Sequence, residues 1–252
     1  MTATVKHTKK QVNEYDKAIQ SSIIDPLQKQ IIENLSAVEN NKQEYEYAIN
    51  SAFEDPNYQA HVKDQTVLLA NTQVDLLNTY NQKKVQTQFE QLFSIDVSDI
   101  LDERVTKDVM DSAIDWNIDL IKSIPTELHE QVQIAYTDII TNTGFDQQAV
   151  ANMLTDRFGV SRSRSKFIAS DQTAKTMGAL NHTRQQQAGA THFIWRTSDD
   201  ERVRPAHAEL DNQIFSYDSP PSIGMPSQPI RCRCIAEPVI LGVTEINQNN
   251  LL

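Results

Sequence analysis

Glycine is absent from the first 143 residues of this 252-residue chain; all six glycines lie at or after Gly144. Glycine interrupts helices and supplies the left-handed conformation that tight turns need, so a stretch this long without it is constrained towards helix. The apolar residues agree, recurring at helical spacing as Val67, Leu68, Val74 and Leu77, then Phe89, Leu92 and Phe93. This pattern predicts long helices over about 57–93 and about 104–122. Pro56 stands where the first can begin, and Pro125 suits the first turn of a further helix. The first 50 residues are polar and weakly periodic. They read either as helices that form only when docked or as a partly mobile arm.

Beyond Gly144 the pattern changes. A shorter helix is expected over about 145–158, stopped by Gly159, and a longer one over about 165–187, stopped by Gly189. Thr191 to Thr197 is rich in aromatic and β-branched residues and reads as a strand, with Phe193 and Trp195 as core anchors. Ile235 to Ile240 reads as a second strand, placed at a sheet edge by Pro238. Six of the nine prolines fall between Pro205 and Pro238. The expected fold class is therefore α+β, with a mostly helical N-terminal part and a compact C-terminal module holding a small β-sheet. The chain divides on this reading into a helical, partner-binding region at 1–95, a domain at 96–240 and a tail at 241–252, frayed from Glu245 onward.

The formal net charge of −11 is unevenly placed. Residues 1–150 hold 12 Lys+Arg against 24 Asp+Glu, and the remainder holds 11 against 10, so the acidic excess sits in the first part. A polyanion is repelled by the whole chain but not by its second part. There Arg162, Arg164 and Lys166 form an S-R-S-R-S-K run that reads either as a nucleic-acid backbone contact or as a solvated helix surface. No run approaches the roughly 18 apolar residues of a membrane span. The N-terminus lacks the apolar core of a secretory signal, so a cytoplasmic site of synthesis without a membrane anchor is expected.

Both cysteines, Cys232 and Cys234, stand two residues apart in a P-I-R-C-R-C-I-A-E-P string, with His207 about 25 residues upstream and Asp211 four residues after it. At this spacing the Cα atoms of an extended chain are too far apart for an easy mutual disulfide. Thiolates and imidazole are preferred zinc donors, so Cys232, Cys234 and His207 supply three ligands and Asp211 is the candidate fourth, with Asp200 and His192 behind it. A structural zinc would pin the proline-rich loop to the following strand. Two other readings remain open: a Cys232 nucleophile with His207 as its base, or two buried thiols with no chemistry. Asp200, Arg202 and Arg204 are interleaved closely enough to form internal ion pairs rather than a phosphate site.

The string F-I-A-S-D-Q-T-A-K at Phe167 to Lys175, followed by F-I-W-R-T-S-D-D-E-R-V-R-P-A-H, L-D, a proline-glycine loop and C-R-C, resembles the phage Mu protein F-like family. The resemblance covers roughly residues 100–240. It implies a minor capsid, or head morphogenesis, protein of a tailed bacteriophage, present in the virion near the portal vertex and in the host cytoplasm during assembly. The implied partners are the portal protein, major capsid or scaffold proteins, and genomic DNA. Enzymatic activity is not expected. The contrasting readings are a cysteine/histidine- or metal-dependent enzyme acting on nucleic acid or peptide, and a non-specific DNA-binding protein. Many relatives carry an arginine in the helix where this chain has Ser170-Asp171-Gln172, which weakens a phosphate-holding role for that face.

Overall fold

The computed structural model describes residues 2–243. The chain order is α1 (Thr2–Ile19), a π-helical turn (Gln20–Ile24), α2 (Asp25–Ser36), α3 (Lys42–Glu54), α4 (Pro56–Phe93), α5 (Glu103–Asn142), α6 (Gln147–Gln187), β1 (His192–Arg196), α7 (Pro205–Ala208), β2 (Ile214–Ser216) and β3 (Ile235–Val239). The fold is α+β. The expected fraying from Glu245 onward lies outside the described residues. Two compact units form, one from residues 1–72 and 114–170, the other from 73–113 and 171–252. Their boundaries fall inside the three long helices rather than between segments of the chain.

The first unit has a continuous apolar core. Tyr15, Ile19, Ile23, Leu27 and Ile31 are buried against residues of α3, the start of α4, α5 and α6, among them Phe53, Ile121, Leu128 and Phe158. Of the first 50 residues, those described are thus mostly helical and are docked on this core from Tyr15 onward. Asn41 caps α3 by accepting from the Glu44 N–H at 3.0 Å. Tyr15 anchors α1 with a buried hydrogen bond to Asn117, 2.8 Å long.

Two expected breaks do not occur. Pro125 lies inside α5, not at a helix start. It forfeits a backbone hydrogen bond, a change worth about 3 kcal/mol in an isolated helix. Its neighbours Ile121, Ile124 and Leu128 are all buried at 0–1% exposure, and that apolar stripe holds the helix together through the proline. Gly159 likewise lies inside α6, between Phe158, buried in the core, and Ser161. One glycine weakens a helix by only about 1 kcal/mol, too little to stop one whose flanks are packed.

The second unit contains the sheet and a polar helix pair. The three antiparallel strands have the order β2-β1-β3, with Phe193 opposite both Phe215 and Pro238. Pro238 therefore sits on an edge strand, as its missing N–H requires. Phe193 and Trp195 point inward, into a small core with Phe215, Met225, Ala236 and both cysteines. Strand β2 was not expected; three residues are too short for a readable alternation. Between α4 and α6 buried amides make paired contacts: Gln73 donates to Thr173 at 3.0 Å and Asn81 to Asn181 at 2.6 Å. Arg184, 1% exposed, donates to the side chain of Asn81 at 2.7 Å and to the carbonyl of Asn78 at 3.2 Å.

Two predictions follow from these helices. An added Cβ at Gly159 meets nothing within 4 Å and the φ there is helical, so Gly159→Ala should raise stability by about 1 kcal/mol in urea unfolding. A lowered midpoint would contradict this account of α6. His182 is 8% exposed, and burial depresses its pKa to about 4. Between pH 6.5 and 4 the unfolded chain therefore binds a proton that the folded chain refuses, so stability is lost as pH falls through this window. From pH 7.5 to 5 the His182 contribution is about 2 kcal/mol. His182→Leu should remove most of it.

Candidate metal centre

The local sequence explains how three distant side chains meet. Pro205 opens the single helical turn α7, and the His207 N–H is bonded to the Arg204 carbonyl at 2.9 Å. The imidazole faces the sheet, edge-on to the Trp195 ring at 5.5 Å. Cys232, Arg233 and Cys234 lead directly into β3. Successive side chains of extended backbone point to opposite sides, so both sulfurs turn inward and Arg233 turns out. The cysteines are 3% and 4% exposed. Arg233 clamps the Asp200 carboxylate through two nitrogens, each 2.5 Å away.

His207 Nδ1 lies 3.4 Å from Cys234 Sγ and 3.5 Å from Cys232 Sγ. One ligand atom from each residue lies within 4.8 Å of the others, and all three residues are buried. With Zn–N near 2.0 Å and Zn–S near 2.3 Å, a tetrahedral ion separates its nitrogen and sulfur ligands by about 3.5 Å. The donor set and its spacing therefore fit a zinc-like ion.

The surroundings also suit thiolates. The Ser227 N–H donates to Cys232 Sγ at 3.4 Å, and the Ser227 hydroxyl donates to the Cys234 carbonyl at 2.9 Å. A hydrogen bond from the Cys234 thiol, aided by backbone N–H groups and by His207, holds the Cys232 pKa well below the usual thiol value. The Cys234 thiol is pushed up in turn, first by its hydrogen bond to Cys232 and then by burial. A divalent ion bound by both sulfurs would take the place of the thiol protons.

Asp211, the expected fourth donor, lies outside this cluster. Its carboxylate accepts from the Thr197 N–H at 2.8 Å and from the Asn212 amide at 2.7 Å, so it closes the loop after β1 instead. His192 meets Thr191, and Asp200 meets arginines. Asp200 also pairs with Arg202 at 3.2 Å. Its carboxyl is held well below the usual range, chiefly by the Arg233 hydrogen bond. Arg204 forms no ion pair with it among the described contacts and donates to the Ile230 carbonyl at 2.5 Å. Of the expected nucleic-acid contacts, Arg162 binds Asp25 at 2.7 Å and Gln28 at 2.6 Å, and Arg164 binds Glu127 at 2.6 Å and Ser123 at 2.9 Å. Lys166 is exposed. Ser227 went unread in the sequence; its only signal there is a place between two prolines, too general to mark a sulfur partner.

Residues 130–237 match the family described as phage Mu protein F like protein. A protein of Haemophilus influenzae, described only as uncharacterized, is 32% identical over 185 residues, covering 72% of this chain and 41% of that protein. The chain thus corresponds to less than half the length of this relative. No solved structure matches. Residues 130–237, which enclose the whole His207–Cys232–Cys234 cluster, are thus phage Mu protein F-like.

Proposed function

We propose that this chain is a minor head protein of a tailed bacteriophage, acting in head morphogenesis at the portal vertex, with its C-terminal module fastened by a zinc ion. The family match enclosing a buried three-donor cluster carries this reading. His207, Cys232 and Cys234 would hold the ion; its chemistry there is structural, tying the α7 turn to the lead-in of β3. Such a tie suits the module, because the apolar cluster around the site is small: seven buried residues among those described, two of them the cysteines. The portal protein is the primary partner, with major capsid or scaffold proteins beside it, and the virion is the destination. No described helix is long and apolar enough to cross a membrane.

A structural role is favoured over an enzymatic one by access. A nucleophilic Cys232 with His207 as base has the right separation, but His207, at 6% exposure, is as enclosed as the sulfurs, which leaves a substrate no approach. Protein partners are favoured over DNA because Arg162 and Arg164 are already spent on Asp25 and Glu127 and the chain carries a net charge of −11.

Purified protein should contain close to one zinc per chain, with both thiols masked until a chelator is added. Cys232→Ser and His207→Ala should each lose the metal and lower Tm by roughly 5–10 °C. Metal-free protein with two reactive thiols would overturn the zinc assignment, and variants with intact folding but lost hydrolytic activity would favour the enzyme. For the assembly role, heads purified from a phage encoding this chain should hold it in few copies, cross-linked to portal subunits. Its absence from such heads would reject that role.

A further inference from the structure

The loop that carries the two cysteines is seated on helix α6 through residues that are not themselves ligands. Gly178 is buried on that helix, and a Cβ added to it would come 2.6 Å from Ser227 Cβ and 3.2 Å from the Pro226 carbonyl oxygen. No ordinary contact is that close, so the loop can lie where it does only because residue 178 has no side chain. Ser227 is the residue whose N–H reaches Cys232 Sγ and whose hydroxyl reaches the Cys234 carbonyl. Two helical turns earlier, on the same face, Asp171 is 4% exposed. It accepts the Arg231 N–H at 2.8 Å and pairs with Lys175 at 2.8 Å. Arg231 immediately precedes Cys232.

Both seated residues have left-handed backbone, Ser227 at φ 72° and Arg231 at φ 54°. Residues with a Cβ seldom adopt this conformation and keep it only where the surroundings impose it. Here the surroundings are the Gly178 notch and the Asp171 carboxylate. One anchors the loop five residues before Cys232, the other at the residue adjoining it.

We propose that Gly178 and Asp171 are positioning residues of the metal centre, setting its affinity and ligand geometry from a helix that supplies no ligand. This rests on the zinc reading above. A methyl group at 178 displaces Ser227, withdraws its N–H from the Cys232 sulfur and spreads the two thiolates. Loss of the Asp171 carboxylate frees the Arg231 N–H and lets the turn before Cys232 relax.

The test is titration of the full chain with Co²⁺, followed by Zn²⁺ competition against a chromophoric chelator. Wild type should bind one equivalent with the absorption of tetrahedral cobalt thiolate. Gly178→Ala should bind at least about tenfold more weakly and shift the cobalt bands, as changes to groups that orient ligands do. The double variant Gly178→Ala/Ser227→Gly removes the opposing Cβ and places glycine where φ is 72°; it should recover to within about threefold of wild type. Asp171→Ala should weaken binding while Asp171→Asn, which keeps an acceptor oxygen, loses less. If Gly178→Ala fails to fold, the double variant and Asp171→Ala decide. Variants that fold and bind cobalt with wild-type affinity and spectrum overturn the proposal and leave the zinc assignment standing. Wild type that binds neither ion overturns both.

Discussion

The polar ladder between α4 and α6 is the constraint on which the second unit depends. Gln73 with Thr173 and Asn81 with Asn181 pair positions that advance in the same direction, so the two helices run parallel in a single register. An apolar seam tolerates sliding, whereas buried amides do not, because a displaced donor loses its partner at about 1–3 kcal/mol. Arg184 makes the register stricter still. Its buried guanidinium donates to Asn78 and Asn81, and burial lowers its pKa.

With α6 held in this register, its remaining faces become a fixed scaffold. Gln185 donates to the Ala236 carbonyl of β3 at 3.1 Å and accepts from Tyr217 at 2.5 Å, which ties the sheet to the helix. Asp171 and Gly178 receive the loop before the cysteines. Across the sheet, Arg196 forms a two-pronged pair with Glu237, at 3.0 and 2.8 Å. The His207–Cys232–Cys234 cluster is the far end of this chain of contacts, its two cysteines following a loop seated on that helix.

Much of this was legible in the residues. The glycine-free run announced long helices, and α4 begins and ends nearly where periodicity put it. Cys232, Cys234 and His207 were readable as three zinc-type donors, and the order of motifs from Phe167 to Cys234 pointed to the family. Pro125 and Gly159 misled because local propensity, worth one to three kcal/mol, was outweighed by packing of neighbours distant in sequence. Asp211 misled for a different reason. Its spacing from His207 suits a shared helical face, but α7 ends at Ala208, and the carboxylate turns to the Thr197 N–H instead.

The sequence by itself determined the helical bulk, the edge strand at Pro238, the chemical types of the three donors and the family to which residues 130–237 belong. These rest on periodicity, on proline's missing donor and on residue identity, all of them local properties. Only the tertiary structure decided that His207 meets both sulfurs at 3.4–3.5 Å, that Arg162 and Arg164 are spent on the protein's own acids, and that Gly178 is a seat rather than a weak point in a helix. Each of these depends on which surfaces face one another after packing, and sequence spacing carries no record of that.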